Sequence, residues 1–196
     1  MLRRLLISFM LLALSITPAW AATVTGSTGL IVVPEADILG PGGFEASLHI
    51  AHNAIMSLSL GIFDHVELSL YTPLRNGDLE YTAKVLLNAE SATFPGVAIG
   101  VESGDVYIAL SRSFGRMRGT LGFGNGGFRG IFGGISYQLN PVYFGKMQTA
   151  PKLLLDYNGH LLNGGIRIPL ASRLELDASF IDFDHTMIGL TFKTQF

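Results

Sequence analysis

From Phe44 to Phe192 apolar residues recur at every second position, and this alternation constrains the chain more than any other feature. A strand sends successive side chains to opposite faces, so period-two alternation reports a sheet with two unlike environments. Phe44, Ala46, Leu48 and Ile50 alternate with Glu45, Ser47 and His49. Met56 to Ile62 alternates with Ser57, Ser59 and Gly61, and Val66, Leu68 and Leu70 alternate with Glu67, Ser69 and Tyr71. The same reading covers 80–87, 97–102, 106–111, 118–123, 131–139, 152–157, 165–168, 174–180 and 188–193. It predicts about twelve strands of roughly 7 to 10 residues, close to the ~9–11 that a tilted membrane-spanning strand needs. Turn signals separate them, among them Asn76-Gly77-Asp78, Ser103-Gly104, Asn125-Gly126-Gly127 and Asn158-Gly159. Residues 140–151 are the longest predicted connection.

Ahead of the alternation lies a different kind of sequence. Arg3 and Arg4 precede the apolar run Leu5 to Ile16, Pro18 breaks it, and Ala19-Trp20-Ala21 fits small-x-small cleavage. Residues 1–21 therefore read as a signal peptide cut near Ala21. Residues 22–42 read as an extended N-terminal segment, with Leu30-Ile31-Val32-Val33 as a further strand or part of a plug. Residues 43–196 read as one domain. Past residue 21 no apolar stretch is long enough for a transmembrane helix. The 196-residue sequence holds no cysteine, so disulfides, thiolate metal sites and cysteine nucleophiles are excluded. A net charge of −2 gives no footprint for nucleic acid.

A soluble antiparallel sheet also alternates. Here, however, the apolar faces carry no charge at their central positions, as lipid would demand, because a mid-depth charge costs ~2–4 kcal/mol there. Only 14% of residues are charged, against the ~25% usual for soluble domains. Phe196 ends the chain on the parity of Ile188, Leu190 and Phe192, similar to the terminal aromatic of bacterial outer-membrane barrels. The expected fold is all-β: an antiparallel transmembrane barrel of about twelve strands, with ten or fourteen as neighbouring even counts. The expected location is the outer membrane of a diderm bacterium, with outer-membrane lipid as surroundings.

The opposite parity supplies the candidate lumen charges: Glu45, His49, Glu67, Glu80, Lys84, Glu102, Arg118, Lys152, Asp156, Arg167, Glu175, Asp177 and Lys193. Their signs nearly balance, whereas a selective pore would carry one dominant sign. Balance predicts cross-strand ion pairs packing a narrow interior. His49 shares a face with Ser47 and Glu45, but neighbours at i±2 on one strand rarely align as a triad, so no catalysis is expected. His52, His65, His160 and His185 fall at turn signals and read as exposed rim residues; no metal or other cofactor is expected. Arg112, Arg116 and Arg118 read as a basic rim cluster near lipid head groups, with an anionic glycan as the alternative contact. Gly122 to Gly127 reads as a flexible hairpin rather than a phosphate cradle, for no Gly-Lys-Ser/Thr or helix follows.

Four segments carry a family resemblance. They are Thr28-Gly29-Leu30-Ile31-Val32-Val33-Pro34-Glu35-Ala36; Tyr107-Ile108-Ala109-Leu110-Ser111-Arg112; Leu121-Gly122-Phe123-Gly124 with Ile131-Phe132-Gly133-Gly134-Ile135-Ser136-Tyr137; and Leu155-Asp156-Tyr157-Asn158-Gly159 with Asn163-Gly164-Gly165-Ile166-Arg167. In this order they resemble motifs of the YjbH-type outer-membrane proteins linked to exopolysaccharide biosynthesis. Arg112 stands where that family tends to have Lys, Asp156 where it has Glu, and the chain is much shorter than the long members. The resemblance implies an outer-membrane barrel in a cell-surface glycan context, with polysaccharide-export proteins as partners, and it brings no catalytic residues. The function read from the sequence is a non-enzymatic barrel assisting exopolysaccharide export or surface organisation. A small passive pore and a lipid-modifying barrel enzyme are the alternatives.

Overall fold

A computed structural model describes residues 22–75, 77–144 and 147–196. The expected signal peptide, residues 1–21, lies outside the described residues. The fold is a closed antiparallel barrel of twelve strands. In chain order the elements are β1 (Gly43–Ile50), β2 (Ala54–Phe63), β3 (Val66–Pro73), β4 (Glu80–Asn88), β5 (Gly96–Glu102), β6 (Asp105–Phe114) and β7 (Met117–Gly124). They continue with β8 (Gly130–Gln138), β9 (Val142–Phe144), β10 (Met147–Thr149), β11 (Lys152–Tyr157), β12 (Leu162–Ala171), β13 (Leu174–Ile181) and β14 (His185–Gln195). Neighbours in sequence pair around the wall, and β9–β10 form a separate hairpin inside the long connection. All twelve strands expected from the alternation are wall strands.

Closure joins β1 to β14, from Gly43 opposite Gln195 to Ile50 opposite Ile188. It leaves no unpaired edge to template association with another chain. The seam is finished by the Phe196 amide, which donates to the Gly42 carbonyl at 3.0 Å. Gly42 has φ +71°, and a Cβ there would meet the Phe196 carbonyl oxygen at 2.7 Å, so both backbone shape and space call for glycine. The end of the barrel that carries Gly43 and Phe196 is called here the terminal rim, and the opposite end the distal rim. Register shifts interrupt β2, β4 and β12 close to the terminal rim, and Pro169 sits at the β12 shift, where a lost ladder donor is tolerated.

The parity of the sequence is the parity of the wall. In β2 Met56, Leu58, Leu60 and Ile62 are exposed while Ser57, Ser59 and Gly61 are buried. In β14 Ile188, Leu190 and Phe192 are exposed while Met187, Gly189 and Thr191 are buried. Exposed aromatics collect at both ends. Phe63, Phe114, Tyr137, Phe192 and Phe196 lie at the terminal rim, and Tyr81, Phe123, Tyr157, Phe180 and Phe183 at the distal rim. Between them the outer wall is aliphatic, for example Leu58, Leu70, Ile99, Leu121 and Leu190. Among the described residues no helix is long and apolar enough to cross a membrane.

The plugged lumen as candidate functional site

Residues 22–42 occupy the lumen. They run inward from the seam at Gly42 and fold on themselves through bridges Ala22–Thr28 and Gly29–Pro34. Leu30, Val33, Ala36 and Leu39 are almost fully buried. The segment is thus a plug rather than a further strand of the wall. Its apolar side packs on an inward cluster of Tyr107, Phe128, Phe132, Leu154 and Met187. The three rings meet at centroid distances of 4.8 to 6.2 Å. Gly122 makes room for this cluster, for a Cβ there would meet the Phe132 ring at 2.1 Å.

Backbone groups of a short irregular segment have no ladder, yet when buried they need partners. Wall side chains provide them at three stations, and a fourth holds side chains of the segment. Glu67 accepts the Thr28 amide at 2.9 Å, the Ser27 hydroxyl at 3.0 Å, the Leu39 amide at 2.8 Å and the Thr28 hydroxyl. Its strand neighbour Lys84 lies 3.2 Å away and donates to the Thr28 carbonyl at 2.7 Å. At the second station one oxygen of Asp156 accepts the successive amides of Ile31, Val32 and Val33 at 2.9, 2.8 and 3.1 Å. Its other oxygen accepts the Asn163 side-chain amide at 2.8 Å.

Arg167 serves the carbonyls. Its guanidinium donates to Gly29, Ala22 and Leu30 at 3.1, 2.8 and 3.0 Å, while Nε holds Asp177 at 2.6 Å. The fourth station, Arg118, pairs with Asp37 at 2.8 Å, Glu35 at 3.4 Å and Glu90. Beside it the Ser111 hydroxyl accepts the Ala36 amide at 2.9 Å. Cross-strand pairing accounts for Glu67–Lys84 and Arg167–Asp177, which are register partners. The expected ion pairs are therefore present, but they also reach across the lumen to fix the plug.

The remaining candidates are inward as well. Lys193 holds Glu175 at 2.6 Å and Glu45 at 3.8 Å. Glu80 accepts from Tyr71 at 2.6 Å and Ser103 at 2.8 Å, and Glu102 accepts from Thr25 at 3.3 Å. Lys152 stands opposite Arg167 and has no ion-pair partner among the described residues. His52, His65, His160 and His185 are exposed at or beside turns.

His49 faces Ser47 through Nδ1 at 3.4 Å and Asp177 through Nε2 at 3.8 Å. The Ser47 hydroxyl is itself engaged with Ser57 at 2.5 Å, and all of these side chains are buried. The cavity beside His49 and Asp177 measures about 10 Å³, room for about one water. Among the described residues no group of three or more His, Asp or Glu side chains could hold a metal ion.

One expectation is corrected. The arginines close in sequence do not form one cluster: Arg118 points inward, Arg116 sits in the β6–β7 turn and reaches Asn140, and Arg112 lies on the outer parity. Side-chain alternation disperses them. The segment after Gly122 forms the expected hairpin, from β7 into β8. A 3-10 turn at Gly126–Phe128 buries Phe128 in the lumen cluster, and the Asp105 carboxylate accepts the Gly127 amide at 2.9 Å. Glu35, Asp37, Glu90 and Asn163 are not among the inward charges that parity predicts, yet they complete these stations. The acids Glu35 and Asp37, placed in an otherwise mostly apolar segment, were the available signal. No protein-family model matches the chain, and no curated protein matches it either.

Proposed function

We propose that the chain is an outer-membrane barrel that rests closed, with its own N-terminal segment as a fixed plug, and that it works without catalysis. The single observation that supports this best is the division of chemistry by the wall. Outside, two aromatic groups border an aliphatic band, the arrangement that interfaces and hydrocarbon select. Inside, charges are spent on holding residues 22–42. The glycan context, assisting exopolysaccharide export or surface organisation beside export proteins, rests on the YjbH-like motifs. Signal-peptide cleavage near Ala21 would bring the chain to that location.

The passive-pore reading is disfavoured by the plug, and the enzyme reading by the sealed surroundings of Ser47 and His49. Planar-bilayer recording tests the proposal. The whole barrel is expected to stay silent, and a variant lacking residues 22–39 is expected to conduct. Steady conductance of the intact chain would instead support a small pore. A lipid-modifying activity abolished by His49→Ala would overturn the non-catalytic reading.

A further inference from the structure

On the outer wall near the terminal rim a groove of about 290 Å³ interrupts the apolar surface. This is near the small end of the ~300–1,000 Å³ span of ligand pockets. Its walls are Leu110, Phe114, Leu121 and Ile135, with Gly119 as floor and Arg112 as the single charged lining residue. Register explains the hollow. Gly119 stands between Arg112 on β6 and Ile135 on β8, and a Cβ on it would meet nothing within 4 Å. One absent side chain leaves a slot between larger neighbours.

Arg112 is the outward-parity exception on β6, so its placement needs a physical reason. Its guanidinium is held over the slot by the Ala92 and Thr93 carbonyls, at 2.9 and 3.3 Å, and rests 5.8 Å from the Phe114 ring centroid. The connection carrying those carbonyls is itself fixed, for Asn88 donates to Pro95 and Ala89, and Glu90 accepts from Ser113. Among the described residues no carboxylate lies within ion-pair distance of Arg112. Carbonyl acceptors orient the cation but leave its charge unneutralised and several of its donors free. The exposed Arg116 and Arg173 share this rim with Asp64, while Arg75 and Arg129 stand with Asp78, Asp105, Asp182 and Asp184 at the distal one, so the local setting of Arg112 rather than a rim-wide charge carries the argument.

We infer that this groove binds one anionic glycerophospholipid, with its phosphate on Arg112 and an acyl chain along Gly119. The apolar walls match the chain, and the oriented, unneutralised guanidinium matches the phosphate. This inference rests on the membrane reading above, and the test separates the two.

The purified barrel, stripped of lipid in detergent, is offered dioleoyl phosphatidylglycerol or dioleoylglycerol, and retention is read by native mass spectrometry. The wild-type chain is expected to hold one phosphatidylglycerol, roughly tenfold better than the phosphate-free lipid. Arg112→Gln should lower phosphatidylglycerol to the dioleoylglycerol level, and Gly119→Leu should remove both. Equal retention by wild type and Arg112→Gln overturns the inference. So does a wild-type preference no greater than for dioleoylglycerol, or a groove-dependent dimer in place of a lipid adduct. Each variant is checked for the gel shift of a folded barrel on boiling, and should Gly119→Leu not fold, Arg112→Gln decides alone. A wild-type chain without that shift would sink the membrane reading; a normal shift without arginine-dependent lipid would sink only this inference.

Discussion

Glu67 and Lys84 stand opposite each other on β3 and β4, 3.2 Å apart and both without solvent exposure, and the plug is built against them. Desolvating two charges is costly, and here the cost is offset by four donors to Glu67 and by the Thr28 carbonyl on Lys84. Removing one partner strands the other. Lys84→Met is expected to destabilise the barrel by about 3–5 kcal/mol, read from its denaturation midpoint in micelles. Adding Glu67→Gln should recover part of that loss, since it removes the orphaned charge. Full additivity of the two substitutions would contradict the coupling.

The amides of Ile31, Val32 and Val33 converge on one oxygen of Asp156. Hydrogen bonds to a charged acceptor are worth ~1.5–3 kcal/mol each, so Asp156→Ala should loosen this part of the plug most. With Val32→Cys as reporter, thiol labelling from the aqueous side should rise by tenfold or more when Asp156→Ala is added. Unchanged labelling would mean that apolar packing alone holds the segment.

Glu90 lies in the connection between β4 and β5 and ties it to Arg118. Partial burial opposes its ionisation, but the Ser113 amide and hydroxyl and the Arg118 guanidinium outweigh this and hold its carboxyl below the ordinary value of 4.5. A depressed folded-state value stabilises above the unfolded value, and the benefit is lost as pH falls through the folded one. Protection of the Ser113 amide, relative to its intrinsic exchange rate, should therefore hold from neutrality down to the ordinary carboxyl value of 4.5 and be lost only at lower pH. In Glu90→Gln that step should disappear.

Leu58 sits mid-strand on the outer face of β2 and is 43% exposed. In hydrocarbon an arginine there costs ~2–4 kcal/mol, whereas in water it would be near neutral. Leu58→Arg is expected to lower folding yield into lipid vesicles markedly, and Leu58→Ile is expected to leave it unchanged.

The wall was legible because alternation is local. Each of the twelve strands carries its own two faces, and Glu45, Glu67, Asp156 and Asp177 fall inward by parity alone. The plug was less legible. Leu30 to Val33 is apolar without alternation, because its surroundings are apolar on one side and single polar atoms on the other. What holds it is long-range: Asp156 is 123 to 125 positions away from the amides it accepts, and no spacing rule records that. Phe132 was hidden for a related reason. It points inward beside the outward Ile131, and only the coil of Phe128 and Tyr107 around it makes an aromatic there intelligible.

The most direct measurement is the gel mobility of the chain in separated envelope fractions, with and without boiling. The protein is expected to sediment with the outer membrane and to migrate differently once boiled, as a closed barrel with a lipid-facing wall should. A chain found in the periplasm, migrating identically before and after heating, would contradict this expectation.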